Sequence, residues 1–194
     1  MCIRDSLLTE DHQALNRLDQ LRDGFAAVMQ QALDAMWARK LGLPSADAAL
    51  VQDLLELMVL SRADFTILFR RLAAIPEHPS ELQPSFYGPL PEPLEERWQN
   101  WLQRWRSRLA SSGDLHAIAA AMQGVNPRIT WREWLVVPAY QQAEHGDTTL
   151  IQALQEVFSR PYDDLSAEQA ARFDRLKPEE FFHAGGVSHY SCSS

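Results

Sequence analysis

The chain has 194 residues, of which 46% are hydrophobic, and a formal net charge of −8. This hydrophobic fraction is sufficient for a packed core and argues against wholesale disorder. The acidic balance disfavours a nucleic-acid binder and an anionic-membrane binder, because both need basic surfaces. No apolar run approaches the roughly 20 residues of a membrane span, and residues 1–30 lack the apolar stretch of a secretory signal.

The two cysteines lie one near each end of the chain and cannot form a disulfide framework. A reducing, cytoplasmic location is therefore predicted. Residues 1–6 have no periodicity and run abruptly into a helical pattern. We interpret this hexapeptide as a non-native scar and leave it, with Cys2, out of the fold prediction. The chain is then expected to be the tail of a longer protein.

The whole chain is predicted to be all-α, and residues 7–75 form its first helical segment. One helix spans about residues 15–40, ends at Gly42 and Pro44, and carries apolar side chains at helical spacing. These are Leu18, Leu21, Phe25, Val28, Met29, Ala32 and Met36.

Ser45 is predicted to cap a second helix, which carries Val51, Leu54, Leu55, Met58 and Val59. The pattern Ser61-x-x-Asp64 has two interpretations. It either starts a third helix bearing Phe65, Leu68, Phe69 and Leu72, or it lies within one continuous helix.

Residues 76–93 contain six prolines and are predicted to be a loop, because proline disrupts helices and central strands. The loop either divides two subdomains or crosses the surface of one helical unit in an ordered form, and the second interpretation is favoured.

A second helical segment is predicted over residues 94–175. Its first helix, about 94–109, carries a stripe formed by Leu94, Trp98, Trp101, Leu102, Trp105 and Leu109. Arginines flank these tryptophans, so stacking on nucleic-acid bases is conceivable. The acidic total favours a core face with arginine stems along its edge.

The remaining helix boundaries follow from capping residues. Asp114 is predicted to cap a short helix. Asn126 is predicted to cap the next helix, with Pro127 at its first position, and Pro138 implies a kink within it. Asp147 is predicted to cap the last helix of this segment.

Few residues in the chain suggest chemistry. There is no His-Glu-x-x-His, Cys-x-x-Cys, nucleophile motif or glycine-rich phosphate loop, so no catalytic residue, metal ligand or cofactor-binding residue is predicted. Arg132, beside Trp131, Glu133 and Trp134, is a weak internal site candidate, and a salt-bridged helix face is the simpler interpretation.

Residues 176–194 are predicted to be a flexible tail that ends in an accessible cysteine. Cys192 follows Gly185 and Gly186 and is the third residue from the carboxyl end. Exposed, mobile thiols favour redox chemistry. His183 and His189 could join Cys192 in a metal or redox module, which is the weakest interpretation considered.

At residues 126–162 and in the tail, the chain resembles the carboxyl-terminal region of the selenoprotein O family, known in bacteria as YdiU-like protein adenylyltransferases. The resemblance extends over nearly all of the chain after residue 6. The matching residues are Asn126, Pro127, Arg132, Trp134, Leu135, Ala139, Gly146, Asp147, Pro161, Tyr162, Val187, Ser188, Cys192, Ser193 and Ser194. The stretches 40–43 and 61–70 resemble the helical region that follows the family's kinase-like core. Glu133, Val137 and Pro138 depart from the family pattern.

The resemblance implies a protein-kinase-like enzyme that transfers AMP from ATP to Ser, Thr or Tyr hydroxyls of proteins, with Mg²⁺ or Mn²⁺. Its catalytic groups would lie upstream, so this fragment alone is expected to be inactive and to bind neither ATP nor metal. In the full-length family this helical region would pack on the missing kinase-like domain, and its partners would be that domain and the substrate proteins. The resemblance also gives Cys192 a redox-regulatory role, in a bond with a cysteine of the catalytic part. Such a fragment is expected to expose an apolar patch and to self-associate.

The alternative hypothesis is a free-standing helical module that binds other proteins and has no enzymatic activity.

Overall fold

The computed structural model describes residues 12–182, and this part of the chain is helical without strands, as the sequence predicts. The helices are α1 (His12–Lys40), α2 (Ala48–Leu60), α3 (Phe65–Leu72), α4 (Glu92–Ala110), α5 (Leu115–Gln123), α6 (Glu133–Glu144), α7 (Thr149–Ser159) and α8 (Ala167–Phe173), with 3₁₀ turns at Pro79–Ser85 and Glu179–Phe181. No helix within residues 12–182 has both the length and the hydrophobicity to cross a membrane. Cys2, His183, His189 and Cys192 lie outside the described residues.

The first core is built around the tryptophan stripe of α4. Trp98, Trp101 and Trp105 are fully buried, and the rings of the last two stack with centroids 5.5 Å apart. The indole nitrogen of Trp101 donates to the carbonyl of Leu50, and that of Trp105 donates to Leu41, both at 2.9 Å. The prediction of a core face is therefore confirmed, and these rings are not free to stack on bases.

The proline-rich crossing belongs to the first core. The prediction that it contains no helical turn is wrong, because Pro79–Ser85 is a 3₁₀ helix with Pro84 inside it. Leu82 and Phe86 of this segment are buried in the first core. The Glu81 carboxylate accepts the N–H groups of Glu77 and His78 at 2.7 and 2.9 Å, and these bonds lower the pKa of Glu81.

The caps of α2 and α3 are both aspartates. The prediction of Ser45 as the cap of α2 is wrong, because Asp47 accepts the N–H of Leu50 at 3.1 Å. Asp64 caps α3 by accepting the N–H of Ile67 at 3.0 Å. Two separate helices exist here, since Arg62 between them adopts a left-handed conformation with φ of 49°.

The prediction that Asn126 starts a helix is wrong. Residues 126–132 are irregular, and α6 begins at Glu133. Asn126 is fully buried, and its amide nitrogen donates to the carbonyl of Lys40 at 2.9 Å. This tertiary hydrogen bond takes the side chain that a local cap would have used. By contrast, Asp114 caps α5, as predicted. The prediction of Asp147 as the cap of α7 is wrong, because Thr148 occupies the cap position, although Asp147 accepts the N–H of Thr149 at 2.9 Å.

The second core lies among α6, α7 and α8. Its buried members are Ile129, Trp134, Leu135, Val136, Ala139, Leu150, Leu154, Val157 and Phe173. Pro138 lies inside α6, where it removes one backbone donor. The sequence predicts the existence of α6 and α7 but misplaces the start of α6, whereas α8 carries too few apolar positions to be recognised individually.

Helix α1 joins the first core only at its carboxyl end. Ala38 and Leu41 are buried and Trp37 packs against the core, and Gly42 has φ of 68°. A Cβ atom on Gly42 would lie 2.6 Å from Cγ2 of Ile118, so glycine permits both the turn and the close approach of α5. The apolar stripe earlier in α1 packs on neither core.

Candidate functional site: the polar seam

A band of polar contacts, here called the polar seam, joins the first core to the second. It is formed by Lys40, Asp64, Arg70, Asn126, Arg128, Arg132, Asp164 and Asp174. It includes Arg132, the one internal site candidate that the sequence suggests.

The centre of the seam is a two-pronged ion pair. Nη1 and Nη2 of Arg132 donate to the two carboxylate oxygens of Asp64 at 2.8 and 2.9 Å. Both side chains are largely buried, at 13% and 11% exposure. The planar guanidinium matches a carboxylate in this geometry. Because Asp64 also caps α3, one carboxylate fixes the start of α3 to the start of α6.

Arg128 forms the second part of the seam. Its Nε donates to Asp174 at 2.9 Å, and its Nη1 donates to Asp164 at 2.7 Å. Arg70 reaches Asp164 at 3.4 Å and donates to the carbonyl of Gln123 at 3.1 Å. These groups line a cleft of about 270 Å³. The Asp164 side chain is 85% exposed, so its ion pairs are screened by water.

The third part of the seam ties the end of α1 to the irregular stretch before α6. Lys40 Nζ donates to Oδ1 of Asn126 at 3.2 Å. The same ammonium lies 5.2 and 4.9 Å from the ring centroids of Phe65 and Phe69. Burial lowers the pKa of Lys40, while the ring faces stabilise its charged form.

The last described residues are held near one end of α3. The hydroxyl of Tyr87 accepts the N–H of Lys177 at 3.2 Å, and the ring of Phe182 meets that of Tyr87 edge-on at 5.3 Å. Arg62 covers the Tyr87 ring at 5.7 Å. The tail that carries Cys192 therefore begins from an anchored position.

The chemistry of the seam is that of a clamp. Its arginines meet carboxylates or backbone carbonyls, so their charges hold segments of the chain together. Within residues 12–182, no group of three or more His, Cys, Asp or Glu side chains could hold a metal ion. Trp131 and Trp134, which flank Arg132 in sequence, separate in space. Trp131 is 56% exposed, whereas Trp134 is buried in the second core and lies 6.3 Å from Phe181.

A second concave feature is an apolar groove between α6 and α7, with a volume of about 450 Å³. Its lining is mostly aliphatic and aromatic, and Trp131 contributes to its edge. The apolar members are Val136, Ala139, Ile151, Leu154 and Phe158.

Sequence reasoning missed the carboxylates that complete the seam. Asp64 is recognisable as a cap, but not as the partner of Arg132, which lies 68 residues away. No sequence pattern around Asp164 or Asp174 indicates that either residue forms an ion pair. Asn126 and Arg132 belong to the pattern that carries the family resemblance, and the structure brings both into the seam.

Comparison with known proteins agrees with that resemblance. The model of the family described as "Protein adenylyltransferase SelO" matches residues 6–159. A "Protein nucleotidyltransferase YdiU" from Xanthomonas campestris is 35% identical over 185 residues, which cover 91% of this chain and 35% of the relative. The protein of that name from Xanthomonas oryzae is 37% identical over 192 residues, covering 94% of this chain and 35% of the relative.

A third protein of the same name, from Methylobacillus flagellatus, is 35% identical over 150 residues, covering 75% of this chain and 29% of the relative. The chain thus spans about a third of the length of the curated relatives it matches. The family match extends across α1 to α7 and includes Asn126 and Arg132. The chain belongs to the SelO family of protein adenylyltransferases.

Proposed function

We propose that this chain is the helical carboxyl-terminal part of an enzyme that transfers AMP from ATP to hydroxyl groups of proteins. The observation that carries the proposal is the family match over residues 6–159 together with coverage of only 35% of the relatives' length. The catalytic groups are assigned to the other two thirds of such a protein. The role of this chain is to support that catalytic part.

ATP and a divalent metal are likewise assigned to the catalytic part. The fit of the described residues to these ligands is poor, because the arginines of the polar seam already bind carboxylates. The described residues also contain no three-ligand cluster for a metal ion. No step of AMP transfer is therefore assigned to a residue of 12–182.

Cys192 is proposed to regulate the enzyme by forming a disulfide with a cysteine of the catalytic part. Two thiols would give one disulfide, two protons and two electrons. Hydrogen peroxide would accept the protons and electrons to become two water molecules, and an organic peroxide would become an alcohol and one water. The anchoring of Lys177 and Phe182 on Tyr87 supports this role, because it fixes the point from which the tail extends.

The test is a chimera of the Xanthomonas campestris relative in which this chain, from residue 7, replaces the matched third. Transfer of labelled AMP to protein is compared with transfer by the same relative lacking that third. Recovery of activity is expected. A folded chimera that is no more active than the truncated relative would contradict the proposal and favour the free-standing binding module. A Cys192→Ser change in the chimera is expected to remove peroxide-dependent loss of activity and the non-reducing gel shift.

A further inference from the structure

The first part of α1 projects from the body of the protein. Every residue from 20 to 33, here called the arm, is exposed. Within the described residues, α1 attaches to the first core at its carboxyl end, where Trp37 packs against the core and Leu41, just after the helix, is buried in it. A helix rises 1.5 Å per residue, so the arm is about 21 Å long.

The arm carries a stripe of large apolar side chains with no cover. Leu21, Phe25 and Val28 are 64%, 62% and 63% exposed, and Met29 and Leu33 are 44% and 41% exposed. In water an uncovered helix of this length is only marginally stable, since most helix stability in proteins comes from packing an apolar face. The sequence therefore specifies a helix whose main stabilising contact lies outside the described residues.

Gly24 provides a second observation on the same helix. It borders the stripe beside Leu21 and Val28, and nothing lies within 4 Å of the position where its Cβ would be. Glycine weakens a helix interior relative to alanine. No contact among the described residues requires it. The backbone of a partner that passes close to Gly24 would require glycine at this position.

We infer that the arm packs into an apolar groove on the upstream, catalytic part of the same polypeptide in the full-length protein. This inference rests on the proposed function and names the surface through which the two parts join. The family match begins at residue 6 and includes the whole arm, so the arm lies within the region that this chain shares with the family. Relatives possess roughly another two thirds of a chain to provide the groove.

Two other occupants fit the arm less well. A membrane surface favours amphipathic helices rich in Lys and Arg, whereas the stretch 16–34 has three aspartates and two arginines. A coiled coil with a second copy needs three to four heptads of apolar residues, and the arm has only 14 residues. Attachment within one polypeptide also raises the local concentration of the partner surface.

The experiment measures backbone hydrogen exchange of the arm in this chain alone and in the Xanthomonas campestris chimera described above. In the chimera, the amides of residues 20–33 are expected to exchange at least roughly tenfold more slowly. Phe25→Asp is expected to abolish that protection. Val59→Asp is the matched control, because Val59 is 77% exposed on α2 and lies outside the arm.

Three results would overturn the inference. One is equal exchange of the arm in the chimera and in the chain alone. Another is protection that survives Phe25→Asp. The third is a dimer of the chimera, seen in sedimentation, whose arm is protected and which Phe25→Asp dissociates, because a second copy would then be the occupant even with the upstream part present. Exchange is read without catalysis, so AMP transfer by a chimera with an unprotected arm would remove this inference and leave the proposed function standing.

If the chimera does not accumulate as soluble protein, the same variants are compared by co-expressing this chain with the tagged upstream two thirds of the relative. Recovery of the wild-type and Val59→Asp chains, with loss of Phe25→Asp, is the expected result. Equal recovery of all three chains, or recovery of none, would contradict the inference.

Discussion

The two cores of this protein are held together in different ways. The first core buries three tryptophans on one helix face, and two of their indole nitrogens donate to backbone carbonyls. The second core is smaller, with Trp134 as its single buried tryptophan among the described residues. Between them lies the polar seam, where charged pairs replace apolar contacts. Apolar burial stabilises each unit, whereas the seam fixes how the units are arranged.

The sharpest test of this difference is Trp101→Ala in the first core. The change empties a fully buried ring site and removes the hydrogen bond to Leu50, so a loss of about 3–5 kcal/mol in unfolding free energy is expected. Urea denaturation followed by circular dichroism measures it. Trp131→Ala, at a residue 56% exposed in the second unit, is the control and should cost less than about 0.5 kcal/mol. Equal losses would show that tryptophan burial does not distinguish the two regions.

The next effect is expected at the centre of the seam. Arg132→Ala leaves the Asp64 carboxylate largely buried without its partner, and a loss of about 3 kcal/mol is expected. Arg132→Lys keeps the charge but not the planar fork, so it should recover only part of the loss. Hydrogen exchange should become faster in α3 and α6, while the tryptophan helix α4 keeps its protection. An effect confined to α6 would mean that the ion pair does not join the two cores.

A much smaller effect is expected at Asp164, which forms the solvent-exposed rim of the seam. Asp164→Asn weakens the pairs with Arg70 and Arg128, but the Asp164 side chain is 85% exposed, so the loss should be about 0.5 kcal/mol. Thermal denaturation at low and high salt measures it, and the salt dependence of stability should decrease. Asp163→Asn is the matched control, at the neighbouring residue. A loss equal to that of Arg132→Ala would show that the rim is as important as the centre.

The smallest effect is a pH dependence at Glu81, an exposed residue of the proline-rich crossing. Hydrogen bonds from His78 and Glu77 lower the pKa of Glu81 below 4.5 in the folded state. The resulting stabilisation is present above pH 4.5 and is lost as the pH falls through the folded pKa. Glu81→Gln should therefore flatten the loss of stability in acid below pH 4.5. Glu96→Gln, at an exposed residue of α4, is the control. The prediction is wrong if Glu81→Gln and Glu96→Gln both show the same dependence of stability on pH as the wild-type chain.

Much of the first core was predictable because its signals are local. The spacing of Trp98, Trp101 and Trp105 determines which face of α4 is buried, and Asp114 accepts backbone N–H groups of the first turn of α5. These interactions depend on helical geometry alone. The same local logic failed at Asn126 and Ser45. Asn126 instead bonds to Lys40, which is 86 residues distant, and Asp47 takes the cap expected of Ser45.

The sequence by itself determined the helical class, the buried face of α4 and the family to which the chain belongs. Those properties depend on periodicity, caps and short motifs, which are written in neighbouring residues. Only the tertiary structure decided that Arg132 pairs with Asp64, that Arg128 pairs with Asp164 and Asp174, and that the stripe of α1 is uncovered. A charge can pair with any opposite charge within reach, and an apolar stripe can face any apolar surface. The arrangement of the helices in space selects among those partners.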